Sequence, residues 1–235
     1  MYTASVSKGA RRRSLTLLIA CLSAFAAFTA IATAQASAAP VQGSGSWYVN
    51  GAKLEGGSVP VKCQIPAGQT FKLTASFLGE PFEVTATGVE CLESRISQEG
   101  SLSVASGRLR LVGTKMTKPA GCEVPPTVTF SALRWDVWSE GEVLYSRIRP
   151  ASGTTFFNLP VYGCGLEMTA PFTGTIFGRF QLPEAQEALQ QPLAFSSAIN
   201  SAAGGAFKFA GSSAALTGTL DLETISGQPF SWRAL

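Results

Sequence analysis

The chain of 235 residues contains no histidine. Histidine is the side chain that most often serves as general base near neutral pH. Without it, Ser-His-Asp and Cys-His hydrolases and HExxH metalloproteases cannot be built. The sequence also lacks a P-loop and a GxGxxG fingerprint, the glycine-rich motifs that cradle nucleotide phosphates. These absences exclude histidine-dependent catalysis and argue against nucleotide chemistry.

Metal ligands are scarce as well. The only aspartates are Asp136 and Asp221, and no two cysteines have the C-x-x-C spacing. Structural zinc sites use clustered Cys and His, and calcium loops need several carboxylates within one short segment. We therefore expect no metal site, and the sequence indicates no cofactor.

The amino-terminal region has the pattern of an export signal. No acidic residue precedes Glu55, and Lys8 and Arg11–Arg13 are followed by an apolar run from Ser14 to Ala34. Ala36-Ser37-Ala38 then supplies the small-x-small pattern that signal peptidase accepts. The sequence predicts a signal peptide over residues 1–38 and a secreted or otherwise extracytoplasmic protein.

Two other fates of this segment remain open. The apolar run is long enough to span a bilayer, which needs about 20 residues, so an uncleaved anchor is one alternative. The other is lipidation, because Leu18-Ile19-Ala20-Cys21 resembles a bacterial lipobox. Cys21 would then be a lipid anchor, although a lipobox is usually followed by a polar linker and here the sequence stays apolar.

Removal of residues 1–38 changes the charge balance. The remaining 197 residues carry 14 basic and 15 acidic side chains, a net charge of −1 in place of +3. A nearly neutral chain gives no electrostatic reason to expect binding to nucleic acid or to anionic lipid. We expect no nucleic-acid partner and no membrane contact after cleavage, which leaves a polysaccharide or an envelope protein as candidate partners.

Four cysteines follow the signal segment, namely Cys63, Cys91, Cys122 and Cys164. An even number of cysteines in an oxidising compartment predicts two disulfides. Three pairings exist, and we favour Cys63–Cys91 with Cys122–Cys164 because each closed loop then stays within neighbouring strands.

Period-two alternation of apolar and polar residues dominates the rest of the chain. Residues 70–77 and 82–87 alternate on either side of a turn at Gly79–Pro81, which predicts a hairpin. Similar segments, separated by Gly, Pro and Ser, are 107–112, 127–137, 143–148, 165–170, 175–182, 206–210, 216–222 and 230–232. So many short strands predict an all-β, antiparallel β-sandwich or jelly-roll-like domain over residues 47–235. A flexible spacer over 39–46 precedes it, and residues 183–191, with Pro183 at the first turn, are predicted as its one short helix.

Paired carboxylates are the remaining route to catalysis, as in glycoside hydrolysis. Glu140 and Glu142 lie in the predicted turn Ser139–Glu142, where glutamates are usually only solvated. Two further pairs, Glu90 with Glu93 and Glu184 with Glu187, are interpreted as surface charge. A glutamate-dependent extracellular glycan hydrolase is therefore the alternative function, and no catalytic residue is assigned.

The sequence Arg134-Trp135-Asp136-Val137-Trp138 is a better candidate for a binding site than these carboxylates are for a catalytic site. Alternation directs Trp135 toward the core and places Trp138 on the same side as Arg134 and Asp136. Trp138 could then stack on a sugar ring while Arg134 and Asp136 supply hydrogen bonds. A partly covered strand tryptophan is the simpler interpretation of Trp138.

Three short stretches carry a family resemblance: Gly121-Cys122-Glu123-Val124-Pro125, Tyr162-Gly163-Cys164-Gly165 and Leu216-Thr217-Gly218-Thr219-Leu220. Through them the chain resembles secreted, cysteine-containing, β-rich actinobacterial proteins of unknown function. The resemblance implies an exported β-domain and carries no catalytic residue. We therefore expect an exported, non-enzymatic structural or ligand-binding module at the cell envelope or outside the cell.

Overall fold

Alternating segments form strands through nearly the whole described chain. The computed structural model describes residues 45–235 except Leu78 and Leu166. The predicted signal peptide, Cys21 and most of the predicted spacer lie outside the described residues. The strands of the described part are β1 (Gly45–Val49), β2 (Ala52–Lys53), β3 (Ser58–Gln64), β4 (Phe71–Phe77), β5 (Glu80–Ala86), β6 (Gly88–Glu99), β7 (Leu102–Val112), β8 (Lys115–Lys118), β9 (Thr127–Thr129), β10 (Leu133–Glu140), β11 (Val143–Pro150), β12 (Thr155–Val161), β13 (Met168–Thr173), β14 (Ile176–Phe180), β15 (Gln190–Phe195), β16 (Lys208–Phe209), β17 (Ser212–Thr224) and β18 (Phe230–Ala234).

Eight of these strands form a closed sheet. In order, β3, β6, β7, β10, β11, β14, β15 and β17 each pair antiparallel with the next, and β17 pairs with β3. Closure removes free strand edges, which are otherwise sites of unwanted pairing. The all-β, antiparallel prediction is confirmed, and the closed sheet is a feature that the sandwich or jelly-roll prediction does not include.

The first half of β17 also belongs to a second sheet. There β17 pairs with β16 and with β4, and the sheet continues through β13 to β12 on one side and through β5 to β8 on the other. Its core is rich in phenylalanine: the rings of Phe82 and Phe209 are stacked 4.2 Å apart, and Phe172 lies 4.6 Å from Phe209. The β4–β5 hairpin matches the predicted one.

The interior of the closed sheet is filled with side chains. A residual cavity of about 10 Å³ is bounded by residues that include Trp47, Ile96, Trp135 and Leu222. That volume holds about one water at most. Trp47 comes from β1, which pairs with β18 so that Trp47 lies opposite Trp232. Its indole Nε1 donates to the carbonyl of Val104 over 3.2 Å, which fixes this terminal ribbon (β2–β1–β18) against β7.

Both predicted disulfides are present. Cys63 on β3 is bonded to Cys91 on β6, with a Cα–Cα distance of 5.3 Å, and therefore crosslinks two strands of the closed sheet. Cys122 and Cys164 are bonded with a Cα–Cα distance of 4.5 Å and join the segments that follow β8 and β12. The predicted pairing, in which each cysteine is bonded to the next one along the chain, is therefore confirmed. Each bridge joins two segments that are neighbours in space.

The helix predicted over residues 183–191 is wrong. Residues 181–189 form an irregular segment, here called the strap, whose backbone bonds to β18: Ala185 N donates to Trp232 O, and Ala188 forms an isolated bridge with Phe230. Backbone groups used in this way cannot form intrahelical bonds. The helix lies instead at Ser197–Ala202 (α1), where the Ser196 hydroxyl accepts a capping bond from Ile199 N over 3.1 Å.

The described residues belong to one compact unit. Within this part of the chain no helix combines the length and the apolar composition needed to span a membrane. Strand β1 begins at Gly45, so Gly45 and Ser46, which were assigned to the spacer, are paired strand residues.

Candidate functional site

The outer face of the closed sheet carries a row of arginines. Arg95 on β6 lies opposite Ser106 on β7, Ser106 lies opposite Arg134 on β10, and Arg134 lies opposite Arg149 on β11. Residues paired in this way point to the same side of a sheet. Three strand spacings separate the two ends of the row, a distance of about 14 Å.

Two more arginines extend this surface toward β14. Arg147 lies opposite Asp136, and Arg179 on β14 lies opposite Tyr145. The surface, here called the arginine face, consists of Arg95, Arg134, Arg147, Arg149 and Arg179 around the carboxylate of Asp136.

Asp136 organises three of these side chains. Its Oδ1 accepts from Arg134 Nε at 3.0 Å, and its Oδ2 accepts from Arg147 Nη2 at 2.8 Å and from Arg149 Nε at 3.4 Å. The Asp136 side chain is only 6% exposed, whereas those of Arg134 and Arg147 are 28% exposed and that of Arg149 42%. The aspartate is therefore an internal anchor, and the guanidinium groups form the accessible surface.

The charge of Asp136 is maintained by its partners. Burial raises the pKa of Asp136, but hydrogen bonds from Arg147 and Arg134, together with the charges of Arg147 and Arg149, outweigh burial and hold this pKa below its ordinary value. Hydrogen bonding to Glu99 raises the pKa of Arg134, which outweighs the effect of burial. Both members of the Asp136–Arg134 pair therefore stay ionised at neutral pH.

The charges on this surface do not cancel. Five guanidinium groups share this face with three carboxylates, those of Asp136, Glu99 and Glu140, which leaves an excess of two positive charges. Among the described residues, Arg95 and Arg179 form no ion pair, and both side chains are exposed.

Trp138 shares the outer face with Arg134 and Asp136, as alternation indicated, but it is only 1% exposed. Its ring is stacked on Tyr145 with centroids 5.8 Å apart and contacts the edge of Phe177. Its Nε1 donates a long bond of 3.4 Å to Glu140 Oε1. A sugar ring has no access to a face of Trp138 in this packing, and the partly exposed aromatic side chain beside the arginines is Tyr145.

An open groove of about 500 Å³ lies beside the arginine row. Its lining includes Arg95, Arg108, Glu93 and Ser106, and Arg108 Nη2 lies 2.9 Å from Glu93 Oε2. The register of β6 shifts between Leu92 and Arg95. This geometry requires a glycine at position 107, where φ is +145° and a Cβ would lie 2.6 Å from Ser94 Cα.

Glu140 and Glu142, the first pair considered for hydrolysis, do not line this groove. Glu140 and Glu142 are exposed in the turn of the β10–β11 hairpin, which has the predicted position. A second open cavity, of about 470 Å³, lies beside α1 and is lined mainly by small residues, with Asn200 and Lys208 the largest polar ones. Glu90 and Glu93 form ion pairs with Arg110 and Arg108, in keeping with a surface role.

The sequence pointed to Arg134 and Asp136 but not to Arg95, Arg147, Arg149 and Arg179. These arginines lie on three other strands, and only the pairing register brings them together. One signal was present: in Tyr145-Ser146-Arg147-Ile148-Arg149, alternation places both arginines on the same face as Tyr145, opposite the apolar Ile148.

No group of three or more Cys, Asp and Glu side chains in the described part of the chain is placed to hold a metal ion. The arginine face and its groove are therefore the candidate site, and their chemistry is multivalent hydrogen-bond donation from fixed cations. No protein-family model, no curated protein and no solved structure matches the chain, so the assignment of function depends on this geometry alone.

Proposed function

We propose that the protein is an exported, non-enzymatic module of the cell envelope or the extracellular space, and that it binds a polysaccharide across the arginine face. Two disulfides support an oxidising, extracytoplasmic location, where polysaccharides are abundant. The proposal concerns recognition, and it assigns no catalytic step to any side chain.

The observation that carries the proposal is the anchoring of three guanidinium groups by one nearly buried carboxylate. Side chains that are already ordered lose little conformational entropy when a ligand binds. Each guanidinium has five N–H donors, and Asp136 occupies only some of them. The face therefore presents fixed donors to the hydroxyl and acidic groups of a ligand.

The shape of the site favours a polymer. The arginine row crosses four strands, and the groove lined by Arg95 and Arg108 lies beside it. An enclosed pocket selects a small molecule, whereas an open track of this kind contacts several units of an extended chain. Tyr145, partly exposed beside Arg147, takes the stacking role that the sequence suggested for Trp138 through the ring face that Trp138 does not cover.

Retention on insoluble polysaccharides and cell-wall preparations tests the proposal. The purified protein should be retained without release of soluble sugars, and Arg149→Ala should weaken retention while Lys208→Ala, an exposed lysine elsewhere, should not. Retention that is equal in all variants would contradict the assignment to the arginine face.

The same assay also tests the alternative function. Release of sugars that is lost in Glu140→Gln or Glu142→Gln would establish the glycan hydrolase in place of the binding module. Absence of both retention and release would favour a structural role or a protein partner.

A further inference from the structure

We infer that the polysaccharide bound by the arginine face is anionic, carrying carboxylate, phosphate or sulfate groups. The inference rests on the proposed function and names the chemical class of its ligand. Its first support is the uneven distribution of charge over the molecule.

Positive charge is concentrated on this one surface. Residues 39–235 contain 14 basic and 15 acidic side chains. Five of the basic and three of the acidic ones lie on or beside the arginine face, so the remainder has nine basic against 12 acidic side chains, a net charge of −3. A cationic face on an otherwise anionic body steers anions toward that face.

The cations of this surface are all arginine. Guanidinium is planar and matches carboxylate, phosphate and sulfate groups through two parallel N–H bonds, which an ammonium cannot do. Neutral hydroxyl groups do not need such a charge. A surface built from five arginines and no lysine is therefore suited to acidic groups.

Donors remain free for a ligand in the described structure. Arg147 uses Nε and Nη2 on Asp136, whereas Arg149 uses only Nε, at 3.4 Å. Arg95 and Arg179, at opposite sides of the face, make no ion pair in the described part. Arg149, Arg95 and Arg179 are therefore the side chains with the most unused capacity for anions.

The neighbouring aromatic residues favour a polysaccharide over a single-stranded nucleic acid. Unpaired bases bind through rows of exposed aromatic rings. Trp138 and Phe177 on this face are 1% and 4% exposed and are therefore closed to stacking. Tyr145 alone offers partial ring exposure beside the arginines.

The test compares polymers that differ in charge. Binding of the purified protein to dextran, dextran sulfate and polygalacturonate is measured by biolayer interferometry at low and at physiological salt. We expect at least tenfold tighter binding to one or both acidic polymers than to dextran, and a loss of that advantage as salt rises.

Charge-matched variants locate the interaction. The triple change Arg95→Gln, Arg149→Gln and Arg179→Gln should weaken acidic-polymer binding about tenfold, within the range that three exposed ion pairs contribute. The control Lys53→Gln, Lys115→Gln and Lys208→Gln removes the same charge elsewhere and should change binding less than about twofold. The double variant Arg95→Gln and Arg179→Gln leaves every partner of Asp136 intact, so it serves if the triple variant unfolds.

Each outcome separates the inference from the proposed function. Equal binding to dextran and to the acidic polymers would overturn the inference and leave polysaccharide binding in place. Binding to none of the polymers would contradict both. Equal losses in the arginine and lysine variants, or equally tight binding to duplex DNA or to anionic vesicles, would also overturn the inference.

Discussion

At the scale of single residues, Asp136 determines the arrangement of the arginine face. A carboxylate that is 6% exposed would be costly without partners, and three guanidinium groups supply them. The aspartate in return keeps three long cations ordered and separated on a surface where they would otherwise repel one another. Removal of this one charge affects both stability and binding.

Asp136→Asn should destabilise the protein by about 2–4 kcal/mol at pH 7, because three neighbouring guanidinium groups lose their shared counter-charge. The pKa of Asp136 is lowered in the folded state, so its stabilisation is fully present above the unfolded value near 4 and is lost as pH falls through the folded pKa. Urea unfolding at pH 7 and at pH 2.5 measures this difference. The gap between wild type and variant should narrow strongly in acid, and a gap that is independent of pH would contradict the role given to the charge.

The shared face of Arg134, Asp136 and Trp138 was predictable, since strand alternation alone places them together. The burial of Trp138 was not, because it depends on Phe177, which comes from a strand about 40 positions later in the sequence. Alternation gives the side of a sheet to which a residue points, and only the packing against that side gives its exposure.

At the scale of elements, the strap shows tertiary pairing overriding a local pattern. Pro183 and the glutamates that follow have the composition of a helix start. In the structure, Glu184 Oε1 accepts from Ala234 N at 2.6 Å and Glu187 Oε1 accepts from Gly51 N at 2.8 Å. The carboxylates therefore bind the terminal ribbon, whose strands are distant from the strap in sequence.

The double change Glu184→Ala and Glu187→Ala should loosen the strap and destabilise the fold by about 1–2 kcal/mol, since two partly exposed charged hydrogen bonds are lost. Hydrogen exchange followed by NMR should show faster exchange at the amides of Gly51 and Ala234. Glu55→Ala, at an exposed glutamate, is the matched control. Unchanged protection in the double variant would mean that these bonds do not hold the strap.

At the scale of the whole molecule, β17 belongs to both cores. Its first half pairs with β4 and β16 in the second sheet, and its second half pairs with β3 and β15 in the closed sheet. Each core also contains one disulfide, with sequence separations of 28 and 42 residues. A continuous strand through both cores predicts that they unfold together.

Replacement of Cys122 and Cys164 by serine should lower the free energy of unfolding by about 3–4 kcal/mol, because the unfolded chain gains the freedom of the opened loop. All four tryptophans lie in the closed sheet or the terminal ribbon, whereas circular dichroism reports on both sheets. The two signals should still change at the same urea concentration in this variant. Separate transitions would show that the second sheet melts independently of the closed sheet.

The strand-rich composition was readable from the sequence because alternation is local, and the disulfide pairing followed from proximity along the chain. The closure of eight strands was not readable, because it depends on β17 meeting β3, about 160 positions earlier. The pairing of strands that are distant in sequence cannot be read from the residue pattern of either strand alone.

The pairing of β1 with β18 has a mechanical consequence. Gly45 lies opposite Ala234, so the first residue of β1 and the last residue of β18 are neighbours at one end of the terminal ribbon. Tension applied between them would act along the inter-strand hydrogen bonds, which lie perpendicular to antiparallel strands, and would break these bonds one pair at a time. The ribbon would peel under a lower force than the same bonds would resist in shear, and peeling would withdraw Trp47 and Trp232 from the core before either sheet is loaded.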